Sequence, residues 1–134
     1  GYEELRSWFL DKMVNICRSI RDQKEEQSNS AVKKAMLYIQ ENFSKDISLD
    51  EVSGQVNISP YYFSKIFKEE TGENFIEYLT RTRIEKAKEF LKQPEVSVKE
   101  AGVKSGYTDP NYFSRIFKKQ TDMTPSEFKT RYGK

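Results

Sequence analysis

The segment SPYYFSKIFK, residues 59–68, returns as DPNYFSRIFK at residues 109–118. Seven of the ten positions are identical, and Lys65 against Arg115 keeps its charge. Each copy opens on a side chain that can accept a hydrogen bond, Ser59 or Asp109, followed by a proline. That pairing marks a helix start, because a proline at the first helical position lacks only an N–H that would be unpaired anyway. At about 100° per residue, Phe63, Ile66 and Phe67 fall on one side of the first helix, and Phe113, Ile116 and Phe117 on one side of the second. Large apolar side chains on one helical stripe face a core. Opposite them stand Tyr61, Ser64, Lys65 and Lys68 in one copy and Asn111, Ser114, Arg115 and Lys118 in the other. Packing makes an inward face recur. It does not require Ser64 with Ser114, or Lys68 with Lys118, to recur outside, although recent duplication is another explanation of that recurrence.

The repeat extends outward from this match. Ser48–Ile58 aligns with Ser97–Tyr107 at an offset of 49, and one extra residue in the second turn moves the offset to 50 from Pro60 and Pro110 onward. Ser48 with Glu51, Ser97 with Glu100 and Thr124 with Glu127 match the capping box of a helix N-terminus. Gly106 tolerates positive φ in the second turn, and Asn57, the next most tolerant residue type, occupies the equivalent place in the first. Each copy is therefore a short helix, a tight turn and a longer helix, the outline of a helix-turn-helix. Strand signals are nearly absent. The pattern predicts an all-α fold, with helices over 31–43, 49–56, 60–71, 74–92, 98–105, 110–121 and 125–131. Residues 74–92, with Phe75, Leu79, Ala87 and Leu91 at helical spacing, form a connector between a first subdomain (31–73) and a second (93–134).

Composition narrows the function classes. With 134 residues and 36% apolar content the chain can bury one or two small cores, not a large enzyme with a separate cofactor domain. No apolar run approaches the roughly 20 residues that cross a bilayer, and no signal peptide is evident, so a soluble, cytoplasmic protein is expected. One cysteine, Cys17, and no histidine leave neither a disulfide framework nor the usual zinc constellations, and nucleophile–base chemistry lacks its commonest base. No phosphate-cradling glycine loop is present. No cofactor, metal or catalytic residue is expected. The net charge of +2 conceals an uneven distribution. Lys65 and Lys68 in the first repeated helix, and Arg115, Lys118 and Lys119 in the second, stand without an acid within the repeated segments, which suits a polyanion.

A DNA major groove admits one α-helix, and Arg or Lys can meet guanine, Asn adenine, and small hydroxyls tight places. Residues near the start of a recognition helix face the bases. That nominates Tyr61, Ser64 and Lys65 in one copy, and Asn111, Ser114 and Arg115 in the other, as base-reading residues. Lys68, Lys118 and Lys119, further along, suit phosphates. Helices held roughly 34 Å apart would read successive major-groove segments from one side of a duplex, or bend it. The competing reading is a helical protein-interaction module that keeps the fold without specific DNA readout.

With these residues assembled, the paired units, the connector segment RTRIEKAKEFL and the closing run GYTDPNYFSRIFKKQTDMTPSEFKTRYG resemble the AraC/XylS family of bacterial transcription regulators. The resemblance covers about residues 31–132. It implies seven helices in two subdomains joined by a long helix, and places base-reading roles on the same six residues. It further implies double-stranded operator DNA and RNA polymerase as partners, an activator role, and a structural ion pair for Arg83 on the connector.

Residues 1–30 are too few for the family's usual sensory domain. Leu5, Phe9, Met13, Ile16 and Ile20 follow an apolar stripe of near-heptad spacing, beside Trp8 and Cys17, before the polar break QKEEQSNS. The expectation is a linker helix truncated from a longer protein with an upstream sensor or receiver domain. Packing of that helix on its own DNA-binding domain (31–134) and homodimer formation through residues 2–23 both stay open.

Overall fold

The computed structural model describes residue 4 and residues 29–133. Residues 29–42 form α1, followed by α2 (Leu49–Gln55), α3 (Pro60–Thr71), α4 (Phe75–Leu91), α5 (Val98–Lys104), α6 (Pro110–Thr121) and α7 (Pro125–Tyr132). The described residues contain no strand. The end of α1, and both ends of every later helix, fall within one residue of the sequence-based expectation. The apolar stripe of residues 5–20, Trp8, Cys17 and any pairing through residues 2–23 lie outside the described residues.

The capping side chains act as their chemistry predicts. Ser48, Ser97 and Thr124 hydroxyls each accept from the amide of the glutamate three residues on, at 3.1 Å. Ser59 accepts from the Tyr62 amide at 3.2 Å, and Asp109 Oδ1 from the Asn111 amide at 3.0 Å. Asn74 supplies a further cap, accepting from the Glu77 amide at 2.8 Å at the head of α4. Each such cap stabilises its helix by about 1 kcal/mol. Asn57 and Gly106 both take positive φ, 59° and 106°, in the turns that follow α2 and α5.

The structural repeat runs beyond the matching letters. α3 ends on Gly72 at φ 80° and α6 on Asp122 at φ 64°. Thr71 Oγ1 lies 2.7 Å from the Phe67 carbonyl oxygen and accepts from the Glu73 amide at 3.2 Å. Thr121 does the same with Phe117 and Met123, at 2.8 and 3.2 Å. These local bonds satisfy polar groups at a helix end that would otherwise lack partners.

Two hydrophobic clusters result. One gathers α1, α2, α3 and the first half of α4 around Ile39, Val52, Phe63, Phe67 and Tyr78. The other gathers the second half of α4 with α5, α6 and α7 around Leu91, Ala101, Phe113, Phe117 and Phe128. Their aromatic arrangement matches: Phe63, Phe67 and Tyr78 sit with ring centres 5.3 Å apart in succession, and Phe113, Phe117 and Phe128 at 5.8 and 5.5 Å. Of the six residues expected inward on the repeated helices, Ile116 alone is only half-buried. α4 serves both clusters, giving Phe75, Tyr78 and Leu79 to one and Ile84, Ala87 and Leu91 to the other.

Arg83, expected to form an ion pair, instead donates to two backbone carbonyls, from Nε to Phe43 at 2.8 Å and from Nη2 to Lys45 at 2.9 Å. Both acceptors lie just past the last helical residue of α1, where unpaired carbonyls and the helix dipole attract a cation. Lys129 of α7 treats the end of α4 alike, its Nζ reaching the Leu91 and Gln93 carbonyls at 3.2 and 2.9 Å.

Candidate nucleic-acid interface

Each repeated helix is held by its buried face, which leaves the opposite face free. Phe63 and Phe67 are fully buried under α3, and Tyr61, on the far side, is 84% exposed. Lys65 and Lys68 are exposed beside it. With Ser64 and Glu69 these residues border a shallow hollow of about 390 Å³ along the outer face of α3. The first set of candidate residues is thus brought onto one surface. On α6, Asn111, Arg115, Lys118 and Lys119 are exposed. The two serines are less open than these neighbours: Ser64 and Ser114 are half-buried. Ser114 borders a hollow of about 260 Å³ formed with Val98, Lys99, Gly102 and Thr108 where α5 crosses α6.

That crossing is close because Gly102 is a glycine. A Cβ there would lie 2.8 Å from a ring carbon of Phe113, nearer than real side chains allow. The first unit has Ser53 at the aligned position, buried and bonded through its hydroxyl to the Asp50 carbonyl at 3.1 Å.

Sequence reasoning missed several residues near these faces. Glu69 joins the α3 hollow, and Lys99 and Thr108 join the one beside Ser114. Lys99 lay outside the ten-residue match, but its place opposite Asp50 in the longer alignment was a usable signal. Tyr62 and Tyr112, identical in both copies, are 44% and 48% exposed. Tyr62 faces a cleft of about 890 Å³ between α1 and α3, floored by Val32, Met36, Ile66 and Tyr78. Tyr112 packs near Tyr107, ring centres 5.8 Å apart. Burial raises the Tyr107 phenol above its ordinary pKa, with the Arg83 guanidinium pulling the other way.

Among the described residues no group of three or more Cys, Asp or Glu side chains could hold a metal ion, and no helix is long and apolar enough to cross a membrane. The exposed chemistry of α3 and α6 is amide, hydroxyl, phenol and cationic, joined at the end of α3 by the carboxylates of Glu69 and Glu70; the cationic and hydrogen-bonding groups can meet an anion.

Residues 52–131, spanning both turns and both long helices, match the family model of a helix-turn-helix domain. The chain belongs to the AraC-type helix-turn-helix family of transcription-regulator DNA-binding domains. Within this AraC-type family it is 34% identical over 101 residues to the regulatory protein PocR of Salmonella typhimurium, covering 75% of this chain and 33% of PocR. It is 37% identical over 115 residues to an uncharacterised HTH-type transcriptional regulator of Pseudoalteromonas carrageenovora, covering 84% of this chain and 68% of that one. Among solved structures, the C-terminal domain of AraT, a response regulator from Geobacillus stearothermophilus, superposes with a TM-score of 0.74 at 37% identity. That match covers 78% of this chain and 87% of the AraT domain. The chain spans about a third of the length of PocR.

Proposed function

We propose that this chain reads double-stranded operator DNA by placing α3 and α6 in successive major-groove segments, as the DNA-binding part of a bacterial transcription activator. The observation that carries the reading is the pairing of a buried, aromatic inner face with an exposed, hydrogen-bonding outer face on both long helices. Tyr61, Ser64 and Lys65 on α3, and Asn111, Ser114 and Arg115 on α6, meet base edges. Lys68, Lys118 and Lys119 meet phosphates. Ser64 and Ser114 are half-buried and keep the rest of their surface open, and a short hydroxyl suits the closest approach of helix to groove floor, where a longer side chain would hold the helix away. Residues 31–73 and 93–134 act as the two readers and 74–92 as their connector. RNA polymerase is the partner of the activator role. The similarity to the C-terminal domain of a response regulator favours a receiver upstream, with residues 1–30 as the linker to it.

Selection of bound duplexes from a random pool at about 150 mM salt, where screening leaves mainly specific contacts, tests the reading. The expected motif has two blocks about one helical turn apart. On that motif Arg115→Ala should cost about 1–3 kcal/mol and relax preference at one base position, while Lys118→Ala should weaken all sequences alike and lower the salt slope by roughly 1. Loss of only non-specific affinity in both variants would overturn the assignment. No enrichment with the full chain would favour a protein-interaction module.

A further inference from the structure

The continuous backbone of α4 is not the sole link between the two units. Arg83 lies in α4 between the residues given to the first core and those given to the second. Its guanidinium holds the Phe43 and Lys45 carbonyls at the end of α1, in the first unit, at 2.8 and 2.9 Å. The same group lies 5.4 Å from the centre of the Tyr107 ring, in the second unit, at the turn that leads into α6. Gly106, beside it, lets the two units approach: a Cβ there would lie 2.9 Å from the Phe43 carbonyl oxygen and 2.9 Å from Arg83 Nε. One planar cation therefore grips the end of the first unit's opening helix and lies against the turn that aims the second unit's long helix. Arginine suits this place because its fork can donate to two carbonyls while its face rests on an aromatic ring.

We propose that this clasp fixes the register between α3 and α6, which makes Arg83 a positioning residue for recognition of two boxes on one duplex. The proposal rests on the DNA reading above for its consequence, and on the contacts alone for its geometry. Two readers on a rigid frame bind a matching pair of boxes with a high effective concentration for the second contact, and that advantage falls when the boxes move out of phase. One inserted base pair moves a box by about 3.4 Å along the helix and about 34° around it. Loosening the clasp should weaken binding to correctly spaced boxes and make the protein tolerant of the insertion.

Lys129 supplies the control, because it holds the Leu91 and Gln93 carbonyls by the same chemistry but within the second unit. The full chain would be compared with Arg83→Met, Arg83→Lys and Lys129→Met. Spin labels on Glu70→Cys and Gln120→Cys, in a Cys17→Ser background, report the distance between the ends of α3 and α6 without DNA. We expect one narrow distance for the parent and for Lys129→Met, and a broad distribution for Arg83→Met. Arg83→Lys, which keeps the charge but replaces the planar guanidinium lying over the Tyr107 ring with a single ammonium nitrogen, should fall between and is read in place of Arg83→Met if that variant does not fold. On the selected duplex, a one-base-pair insertion should weaken the parent about tenfold and Arg83→Met about twofold or less, with affinity for a single box unchanged. A narrow distance together with an undiminished insertion penalty in the Arg83 variants would overturn the clasp, as would equal broadening in Lys129→Met. If no two-box motif exists, the DNA reading fails while the label distances still judge the clasp.

Discussion

The two helix-turn-helix units share a scaffold and differ in charge. Caps at Ser48 and Ser97, left-handed turns at Asn57 and Gly106, threonine-stitched ends at Thr71 and Thr121 and a matching aromatic series recur in both. Over the same aligned frame Asp50 faces Lys99, Gln55 faces Lys104, Glu69 faces Lys119 and Glu70 faces Gln120. In the first unit Lys65 and Lys68 are followed at once by Glu69 and Glu70, whereas in the second Arg115, Lys118 and Lys119 run without an acid on the helix. Packing constrains the inward positions, so they recur, while solvent leaves the outward ones free to diverge, as these four pairs do although Ser64 with Ser114 and Lys68 with Lys118 do not. Under the proposed function the second unit supplies most of the attraction to a polyanion. The first contributes through shape and hydrogen bonding, with the 84% exposed Tyr61 among the groups it presents.

The largest effect should come from what the units share. Phe63 and Phe113 are each buried to within 1% under their long helices, and replacing either by Ala should cost about 3–5 kcal/mol through lost burial and the cavity left behind. Hydrogen exchange separates the units: Phe63→Ala should expose α2 and α3 first, and Phe113→Ala α5 and α6. Equal loss of protection throughout would show a single cooperative body and remove the ground for comparing two.

A smaller effect should separate the two turns. Gly106→Ala must accept a φ of 106° and an approach of 2.9 Å to the Phe43 carbonyl oxygen, a backbone atom with little room to yield. Strain of this kind costs about 1–3 kcal/mol. Asn57→Gly relaxes a residue at φ 59°, and should change stability by no more than about 1 kcal/mol. Urea denaturation of both variants measures the contrast. Equal shifts would mean that φ alone decides and that the approach of α1 to the second turn matters little.

These cases also show what could be read in the letters. Helix starts were legible because Ser59-Pro60, Asp109-Pro110 and Thr124-Pro125 act through neighbours in sequence, and the inward faces because their period is local. Gly106 was legible as a turn residue. Its second reason, contact with Phe43, joins positions more than sixty residues apart, and no local pattern encodes such a meeting. Arg83 was misread as an ion-pair partner for the same cause: its acceptors are backbone carbonyls, which carry no signature in the identity of Phe43 or Lys45. The half-burial of Ser114 escaped helical angles, which place a side chain on a face without showing how near a crossing helix, here α5, comes. The Asn74 cap is legible too, but only from the repeat beyond its ten-residue match, where Asn74 and Glu77 align with Thr124 and Glu127.

The smallest effect bears most directly on the charge contrast, and exchange of one aligned pair tests it. Each phosphate neutralised contributes about 0.9 to the dependence of log affinity on log salt. Lys119→Glu should therefore lower that slope by about 1, and Glu69→Lys should raise it by about 1 if the end of α3 lies as near the phosphates as the end of α6. The double exchange keeps the net charge, so a slope equal to the parent's would mean that both helices meet the backbone alike and the asymmetry is one of charge alone. If Glu69→Lys leaves the slope unchanged while Lys119→Glu lowers it, the end of α3 stands away from the duplex. The divergence of Glu69 and Glu70 is then the freedom of a surface that no anion faces, and the second unit holds the DNA while the first inspects it.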